Sequence, residues 1–233
     1  MKKASVLSLL LACLLMAGLL SACGGGSDQA SEPEEEGESI ATAETDAEPM
    51  QTTAAGNGSI LIVYFAVAEN SDVDAMSSAS VVPGTDRGMS GFIADIIAER
   101  TGGELFSIRT EEQYPGVYDD LANRAKDQQD KGELPVLTSH IENLDDYDVI
   151  FIGYPIWWYT LPQVMFSFFD EYDFSGKTII PFCTHLGSRD GGTFAKIKEL
   201  EPGAMIEEGF AVNQDDVADC EPDLLTWLEG LGY

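Results

Sequence analysis

The sequence predicts an α/β domain built on a doubly wound, five-stranded parallel sheet. Two observations support this fold class. Five short runs rich in β-branched and aromatic residues recur between residues 59 and 233, and a helical segment separates each run from the next. The first run, at 59–65, is almost wholly apolar, which is typical of a strand buried on both faces. Strands that alternate with helices form a parallel sheet covered by helices on both faces.

The individual elements follow in order along the chain. The strands are expected at 59–65, 105–108, 147–153 and 177–182, with a fifth inside 204–212. The first helix has an apolar face of Phe92, Ile93, Ile96 and Ile97, begins after Ser90 and ends at Gly102-Gly103. A polar surface helix is expected at 118–131, an apolar helix at 161–169 and a short helix at 193–200. Leu224, Leu225, Trp227 and Leu228 lie on a closing helix.

The N-terminal residues predict a secreted, lipid-anchored protein. Lys2-Lys3 precedes an apolar run that has the length of a signal peptide and is too short for a confident transmembrane span. The run ends in Leu20-Ser21-Ala22-Cys23, which resembles the lipobox of bacterial lipoproteins. Residues 1–22 are therefore expected to be a lipoprotein signal peptide, and Cys23 the lipidated residue of an extracytoplasmic protein. The alternative is an ordinary signal peptide with a chance cysteine.

Residues 23–58 are acidic and rich in small polar residues, so they cannot bury enough apolar surface to offset the entropy of ordering. They are expected to form a disordered acidic tether, or alternatively a partner-binding tail. Residues 59–233 form one domain. The chain carries a formal charge of −29 and no basic patch, so nucleic acid is not an expected partner. Attachment to the membrane must then come from the lipid anchor.

The sequence lacks the motifs of several common nucleotide and metal sites. No GxGxxG or Walker A motif is present, and no His, Cys or carboxylate cluster has the spacing of a metal site. No catalytic residue is predicted. In a sheet of this class, ligands bind beyond the carboxyl ends of the strands. The segments after the first, third and fourth strands are therefore the candidate site.

Two of these segments resemble the flavodoxin-like family of bacterial proteins. The residues that carry the resemblance are Gly153-Tyr154-Pro155-Ile156-Trp157-Trp158 with Thr160-Leu161-Pro162, and Pro181-Phe182-Cys183-Thr184-His185. The resemblance covers about residues 59–213. It implies a flavodoxin-like strand order of 2-1-3-4-5 and one non-covalently bound FMN. It also implies that the phosphate lies at the loop after the first strand and the isoalloxazine between the loops after the third and fourth.

The resemblance therefore implies that cofactor-binding residues lie in all three segments. Trp157, Trp158 and Tyr159 offer aromatic faces for stacking, although packing in the core is the alternative for either indole. His185 would hydrogen-bond the flavin or a substrate, or is otherwise a surface histidine. The full set is Ala68, Glu69, Asn70, Gly88, Met89, Ser90, Pro155, Ile156, Trp157, Trp158, Tyr159, Thr160, Thr184, His185, Gly187 and Ser188.

The phosphate loop departs from the family pattern. Ala66 and Ala68 stand where the family has hydroxyl side chains, and Glu69 adds a negative charge. An insertion displaces the remainder of the loop to Gly88-Met89-Ser90, where Ser90 would cap the first helix and Arg87 would add positive charge. The first-turn amides of that helix would then bind the phosphate, or these residues are only a helix cap.

Cys183 and Cys220 are expected at one edge of the sheet, either as a disulfide or as two free thiols. The predicted function is a membrane-tethered FMN redox protein that transfers electrons or reduces quinone-type acceptors. Its partners would be the membrane, through the lipid anchor, and a redox partner or small-molecule acceptor. The alternative is a non-enzymatic ligand- or partner-binding lipoprotein on a degenerate flavodoxin fold.

Overall fold

The computed structural model describes residues 59–71 and 81–233. The predicted signal peptide, the predicted lipidation site Cys23 and the predicted acidic tether lie outside the described residues. Within the described ranges, no helix combines the length and the apolar character needed to span a bilayer.

A parallel sheet forms the centre of the domain, and the predicted strand order 2-1-3-4-5 is confirmed. The central pairs are long and apolar because β3 and β4 are buried over almost their whole length. The strands are β1 (Ile60–Tyr64), β2 (Glu104–Ser107), β3 (Val149–Pro155), β4 (Thr178–His185), β5 (Met205–Ile206) and β6 (Phe210–Asn213).

The fifth position of the sheet is occupied by two short strands instead of one. β5 pairs with the start of β4 and β6 with its end, and residues 207–209 interrupt the ladder between them. The Glu207 amide donates to the Ile179 carbonyl (3.0 Å), so the backbone N–H and C=O groups of every second residue of β4, counted from Ile179, point toward the fifth position of the sheet. Pro181 is the next residue of β4 that faces this position. Because proline has no backbone N–H, it cannot donate the next hydrogen bond, and the ladder is interrupted there.

Helices cover both faces of the sheet, as the prediction of a doubly wound fold requires. α1 and α5 pack on one face, and α2, α3 and α4 pack on the other. Their bounds are Met89–Thr101 for α1, Tyr118–Lys131 for α2, Gln163–Glu171 for α3, Thr193–Leu200 for α4 and Glu221–Gly230 for α5. Short 3-10 helices span Val67–Glu69, Leu144–Asp146 and Gln214–Asp219.

An ion-pair cluster holds α2 in place. The Arg124 guanidinium on α2 contacts Glu112 (2.5 Å) and Glu133 (2.5 Å), which flank the helix in sequence. On the same helix, the buried Gln128 amide donates to Glu112 (2.9 Å) and lies 3.4 Å from the Tyr114 hydroxyl. These contacts link the segments before and after α2 to the helix itself.

The two cysteines of the domain lie on opposite faces of the sheet. Cys183 on β4 packs in the core beneath α2, α3 and α4, whereas Cys220 packs with α1 and α5. Both thiols are buried and free. The disulfide considered from the sequence is therefore not formed, because the sheet itself separates the two residues.

Candidate functional site

The segments that follow β1, β3 and β4 converge at the carboxyl edge of the sheet. The 3-10 turn Val67–Glu69 follows β1, an aromatic turn at 157–160 follows β3, and a glycine-rich loop at 186–192 follows β4. Ile156 joins the last two, because its amide donates to the Thr184 carbonyl (2.8 Å). Parallel strands bring all these loops to one edge, so residues far apart in sequence become neighbours.

The amino end of α1 has hydrogen-bond donors that no acceptor in the described part of the chain receives. Gly88 is the N-cap, so the expected cap Ser90 is instead the second residue of the helix. The Ser90 hydroxyl is buried and finds no partner among the described residues. No acceptor within 59–71 or 81–233 receives the amides of Ser90 or Gly91. A helix N-terminus with open amides and a buried hydroxyl is suited to an anion.

A compact ion cluster lies beside this helix end, and Glu69 is at its centre. The Glu69 carboxylate is almost wholly buried and contacts the guanidinium groups of Arg87 (2.6 Å) and Arg109 (2.8 Å). It also accepts from the hydroxyls of Ser107 (2.5 Å) and Tyr64 (3.2 Å). The negative charge that the sequence places in this loop is therefore neutralised within the protein.

The Arg87 guanidinium forms its contacts with other groups of the protein. Its guanidinium forms a two-point contact with Asp95 (2.8 Å for each oxygen) and also donates to the Tyr64 hydroxyl (2.9 Å). It lies above the Tyr64 ring, 5.2 Å from the centroid. Arg87 thus joins β1, the Glu69 turn and α1. The positive charge that was expected to attract a phosphate is therefore paired with the carboxylates of Glu69 and Asp95.

The remaining predicted residues of the first loop have structural contacts. Asn70 is buried, and its side-chain amide donates to the Ala66 carbonyl (3.1 Å), which closes the 3-10 turn. Ala68 is half-buried in the same turn. Burial also raises the pKa of the Tyr64 hydroxyl, and the Glu69 carboxylate adds to the effect. That hydroxyl therefore stays protonated as a donor to Glu69.

The aromatic turn has an unusual backbone. Trp157 and Thr160 exchange two backbone hydrogen bonds (3.1 and 3.0 Å), which makes a two-residue turn. The central residues, Trp158 and Tyr159, have φ angles of +48° and +62°. Such turns favour glycine and asparagine, and bulky residues with positive φ are rare because the Cβ atom crowds the backbone. Strain of this kind concentrates at functional sites.

The three aromatic residues of this turn differ in their surroundings. Trp157 packs in the core, edge-on to Phe65 (5.7 Å between centroids) and Tyr114 (5.4 Å), as the packing alternative expected. The Trp158 indole is 46% exposed and donates to the Ala122 carbonyl on α2 (2.9 Å). The Tyr159 side chain is 76% exposed. Trp158 and Tyr159 are therefore the rings available to a ligand.

A cleft of about 230 Å³ lies between this turn and α2. Its lining carries no charged side chain, which suits a flat, uncharged ring system. Two predicted residues besides the aromatics contribute to it, Ile156 and Ser188. The lining consists of Tyr118, Leu121, Ala122, Ala125, Ile156, Trp157, Trp158, Tyr159, Leu186 and Ser188.

The second loop begins later than the sequence suggested, because β4 extends to His185. Thr184 and His185 are thus buried strand residues. The His185 Nδ1 atom accepts from the Gly187 amide (3.1 Å), which leaves the proton of the neutral ring on Nε2. Burial and the nearby Arg189 guanidinium lower the pKa of His185, although Asp216 and Asp190 oppose them. His185 is therefore a neutral anchor for the Gly187 turn.

Acidification is expected to weaken this anchor. A base whose pKa is lowered in the folded state binds its proton more tightly when unfolded, so its contribution to stability falls as the pH drops below about 6.5. His185→Asn keeps an acceptor close to the position of Nδ1 but cannot titrate there. Thermal unfolding at neutral and mildly acidic pH should show a smaller acid-induced loss for the asparagine variant. Equal losses in both proteins would contradict the assignment.

Sequence reasoning missed half of the ion cluster and one wall of the cleft. Ser107 ends β2 and Arg109 follows it, so the same rule of strand ends would have pointed to both. The stretch Ser107-Ile108-Arg109 has no aromatic or glycine residue, so its composition alone does not indicate a ligand site. The α2 wall gave no signal beyond Leu121 and Ala125, the buried positions of a polar helix.

The comparisons with known proteins agree with the fold. A family model described as flavodoxin matches residues 78–231. A structure assigned as a flavoprotein from Bacteroides eggerthii DSM 20697 is 25% identical with a TM-score of 0.60, covering 76% of this chain and 99% of the other. One from Bacteroides uniformis ATCC 8492 is 26% identical with a TM-score of 0.56, covering 74% and 98%.

A flavoprotein in complex with FMN from Lactobacillus acidophilus NCFM has a TM-score of 0.50 at 16% identity, and the match covers 71% of this chain and 99% of the other. At that identity the likeness concerns the fold. None of the curated proteins is similar to the chain by sequence.

Proposed function

Because the chain belongs to the flavodoxin family, we propose that it is a membrane-tethered, FMN-binding redox protein that carries electrons or reduces quinone-type acceptors. The observation that carries the proposal is the amino end of α1, where the Ser90 hydroxyl is buried without a partner among the described residues. A buried hydroxyl left unpaired is costly, and a phosphate oxygen would satisfy it.

The residues present fit FMN at both ends of the ligand. The phosphate would be held by the amides of Ser90 and Gly91 and by the Ser90 hydroxyl, with the helix dipole adding to the attraction. The ring system would lie against the exposed faces of Trp158 and Tyr159. When bound, FMN supplies the one- and two-electron redox chemistry.

The protein's own residues would position the cofactor and control access to it. The Gly187 amide donates to His185 and so fixes the turn, and the exposed Leu186 and half-buried Ser188 on either side of it border the cleft. The cleft lining offers no charge to an acceptor, so an uncharged ring such as a quinone suits it better than an anionic nucleotide. No side chain is required as an acid or base for this role.

A flavin titration tests the proposal. The full chain is added to FMN, and the flavin fluorescence is followed. We expect quenching at micromolar protein because an aromatic side chain stacked on the ring provides a quenching path. Free flavin fluorescence that persists at micromolar protein would refute FMN binding. If FMN binds, oxidation of NADH or NADPH with a quinone acceptor distinguishes a reductase from a carrier.

The alternative function is supported by the first loop. Ala66 and Ala68 offer no hydroxyl to a phosphate, which is compatible with a binding protein that has lost the cofactor. In that case an aromatic ligand without a phosphate, or a partner protein, would bind at the cleft. The FMN titration discriminates between the two functions, since only the first requires quenching.

Attachment to the membrane is the remaining part of the proposal and rests on Leu20-Ser21-Ala22-Cys23. A diacylglycerol on Cys23 would hold the domain at the outer surface of the cell membrane, with residues 24–58 as a spacer. Cell fractionation is the check. Cys23→Ser should move the protein from the membrane fraction to the soluble fraction, and retention in the membrane would count against a lipid anchor.

A further inference from the structure

The Glu69 cluster adjoins the donors that would receive a phosphate. A side-chain carbon placed on Gly91, in the first turn of α1, would lie 3.0 Å from Glu69 Oε1 and 3.3 Å from the Arg87 guanidinium carbon. Arg87 also donates to the Gly91 carbonyl (3.4 Å). The ion cluster and the amino end of α1 are therefore in direct contact. The net charge of the cluster acts on any ligand bound at that helix end.

The charges within this cluster cancel. Two guanidinium groups, of Arg87 and Arg109, face two carboxylates, of Glu69 and Asp95. Arg87 is shared between both carboxylates. Within the described ranges, the carboxylate that pairs with Arg109 is that of Glu69. A site for a doubly charged phosphate thus has two cations beside it whose field is offset by the protein's own anions.

We propose that Glu69 is a built-in counter-ion that weakens binding of the ligand's phosphate, and so sets the preference of the site between FMN and riboflavin. The inference rests on the proposed function, because it presumes a flavin at this site. The chemical class of ligand is accordingly wider than FMN alone: riboflavin should also bind, and the preference for FMN should be only as large as the neutral donors at the end of α1 provide.

The physical argument is one of charge and distance. A phosphate at the end of α1 would lie within the Debye length of the cluster at physiological salt, which is about 8 Å, so the net charge of the cluster acts on it. The open amides and the Ser90 hydroxyl still bind phosphate, but by hydrogen bonds from neutral groups. Riboflavin lacks the charge and should not respond to the cluster.

Glu69→Gln provides the principal test. Glutamine retains an oxygen that accepts from Tyr64 and Ser107 but leaves one uncompensated guanidinium. FMN and riboflavin are each titrated against the full chain at low and at high salt. We expect the FMN affinity of the variant to rise roughly fivefold at low salt, with a smaller rise at high salt. The riboflavin affinity should stay unchanged.

Arg109→Gln should act in the opposite direction. It removes a cation and leaves Glu69 less compensated, so FMN affinity should fall while riboflavin affinity stays the same. Glu199→Gln is the matched control, because it removes the same charge from a surface ion pair with Lys196 on α4. That variant should alter neither affinity.

The outcomes separate the inference from the proposed function. Binding of neither flavin by the unaltered chain would defeat the proposed function and this inference together. Binding by the unaltered chain, followed by an equal loss of both flavins in Glu69→Gln, would show that Glu69 only supports the structure and would overturn the counter-ion role alone. Opposite responses of FMN in the Glu69 and Arg109 variants, with constant riboflavin binding, would establish it.

Discussion

Gly153→Ala is expected to lower the free energy of unfolding by about 3 kcal/mol, because it overpacks the centre of the sheet. Gly153 on β3 pairs with Phe182 on β4, and the Phe182 ring covers it. A Cβ atom on Gly153 would lie 2.1 Å from two carbons of that ring, far inside contact distance. Phe182 is fully buried, so its ring has little space into which to move. Chemical denaturation with an unchanged slope would measure the loss.

Two further variants make this expectation specific. In a Gly153→Ala background, Phe182→Leu should cost less than it does alone, because the smaller side chain relieves the clash. Gly230→Ala is the control, since a Cβ atom there meets nothing within 4 Å. It should be neutral or slightly stabilising in helix α5. Equal losses at Gly153 and Gly230 would refute the packing explanation.

Tyr159→Gly is expected to stabilise the domain while weakening flavin binding. Glycine adopts the φ of +62° without the crowding that tyrosine suffers, although it also makes the unfolded chain more flexible. The net gain should be about 1 kcal/mol. Loss of the exposed ring should lower flavin affinity by roughly tenfold, through lost stacking. Thermal unfolding and the flavin titration measure the two effects on one sample.

Tyr159→Phe separates the ring from the backbone. Phenylalanine keeps both the strain and the aromatic face, so stability and flavin affinity should remain close to those of the original chain. A Tyr159→Gly variant that gains stability and binds flavin as before would mean that the ring contributes nothing to the site. A variant that loses stability would show that the relieved strain is smaller than the entropic cost of glycine in the unfolded chain.

The fold followed from the sequence because its signals are local. Periodicity and end signals placed α2 at its observed bounds, where Gly132 ends the helix in the left-handed conformation. The fifth strand was expected within 204–212 but not its interruption, because that depends on Pro181 in a neighbouring strand. The missing hydrogen bond of Pro181 interrupts the strand beside it, and the hydrophobic periodicity of neither strand indicates this interruption.

The site was harder to predict because its contacts are distant in sequence. Glu69 meets Arg87, Ser107 and Arg109, which are 18, 38 and 40 positions away. A single sequence shows a carboxylate and two arginines but not that they neutralise one another. The aromatic turn was found from its composition, yet only the backbone angles show that Trp158 and Tyr159 are strained. Burial then separated Trp157 from its two neighbours.

The interrupted fifth strand has a consequence for behaviour at high local concentration. A long, regular edge strand would offer its free backbone groups to a neighbouring molecule and invite aggregation. Here that edge consists of two residues in β5 and four in β6, separated by a segment that carries Glu207 and Glu208. β2, at the opposite edge, has only four residues and begins with Glu104. If the proposed lipid anchor concentrates the molecules on one membrane, these short edges leave few free backbone groups through which one copy could extend the sheet of the next.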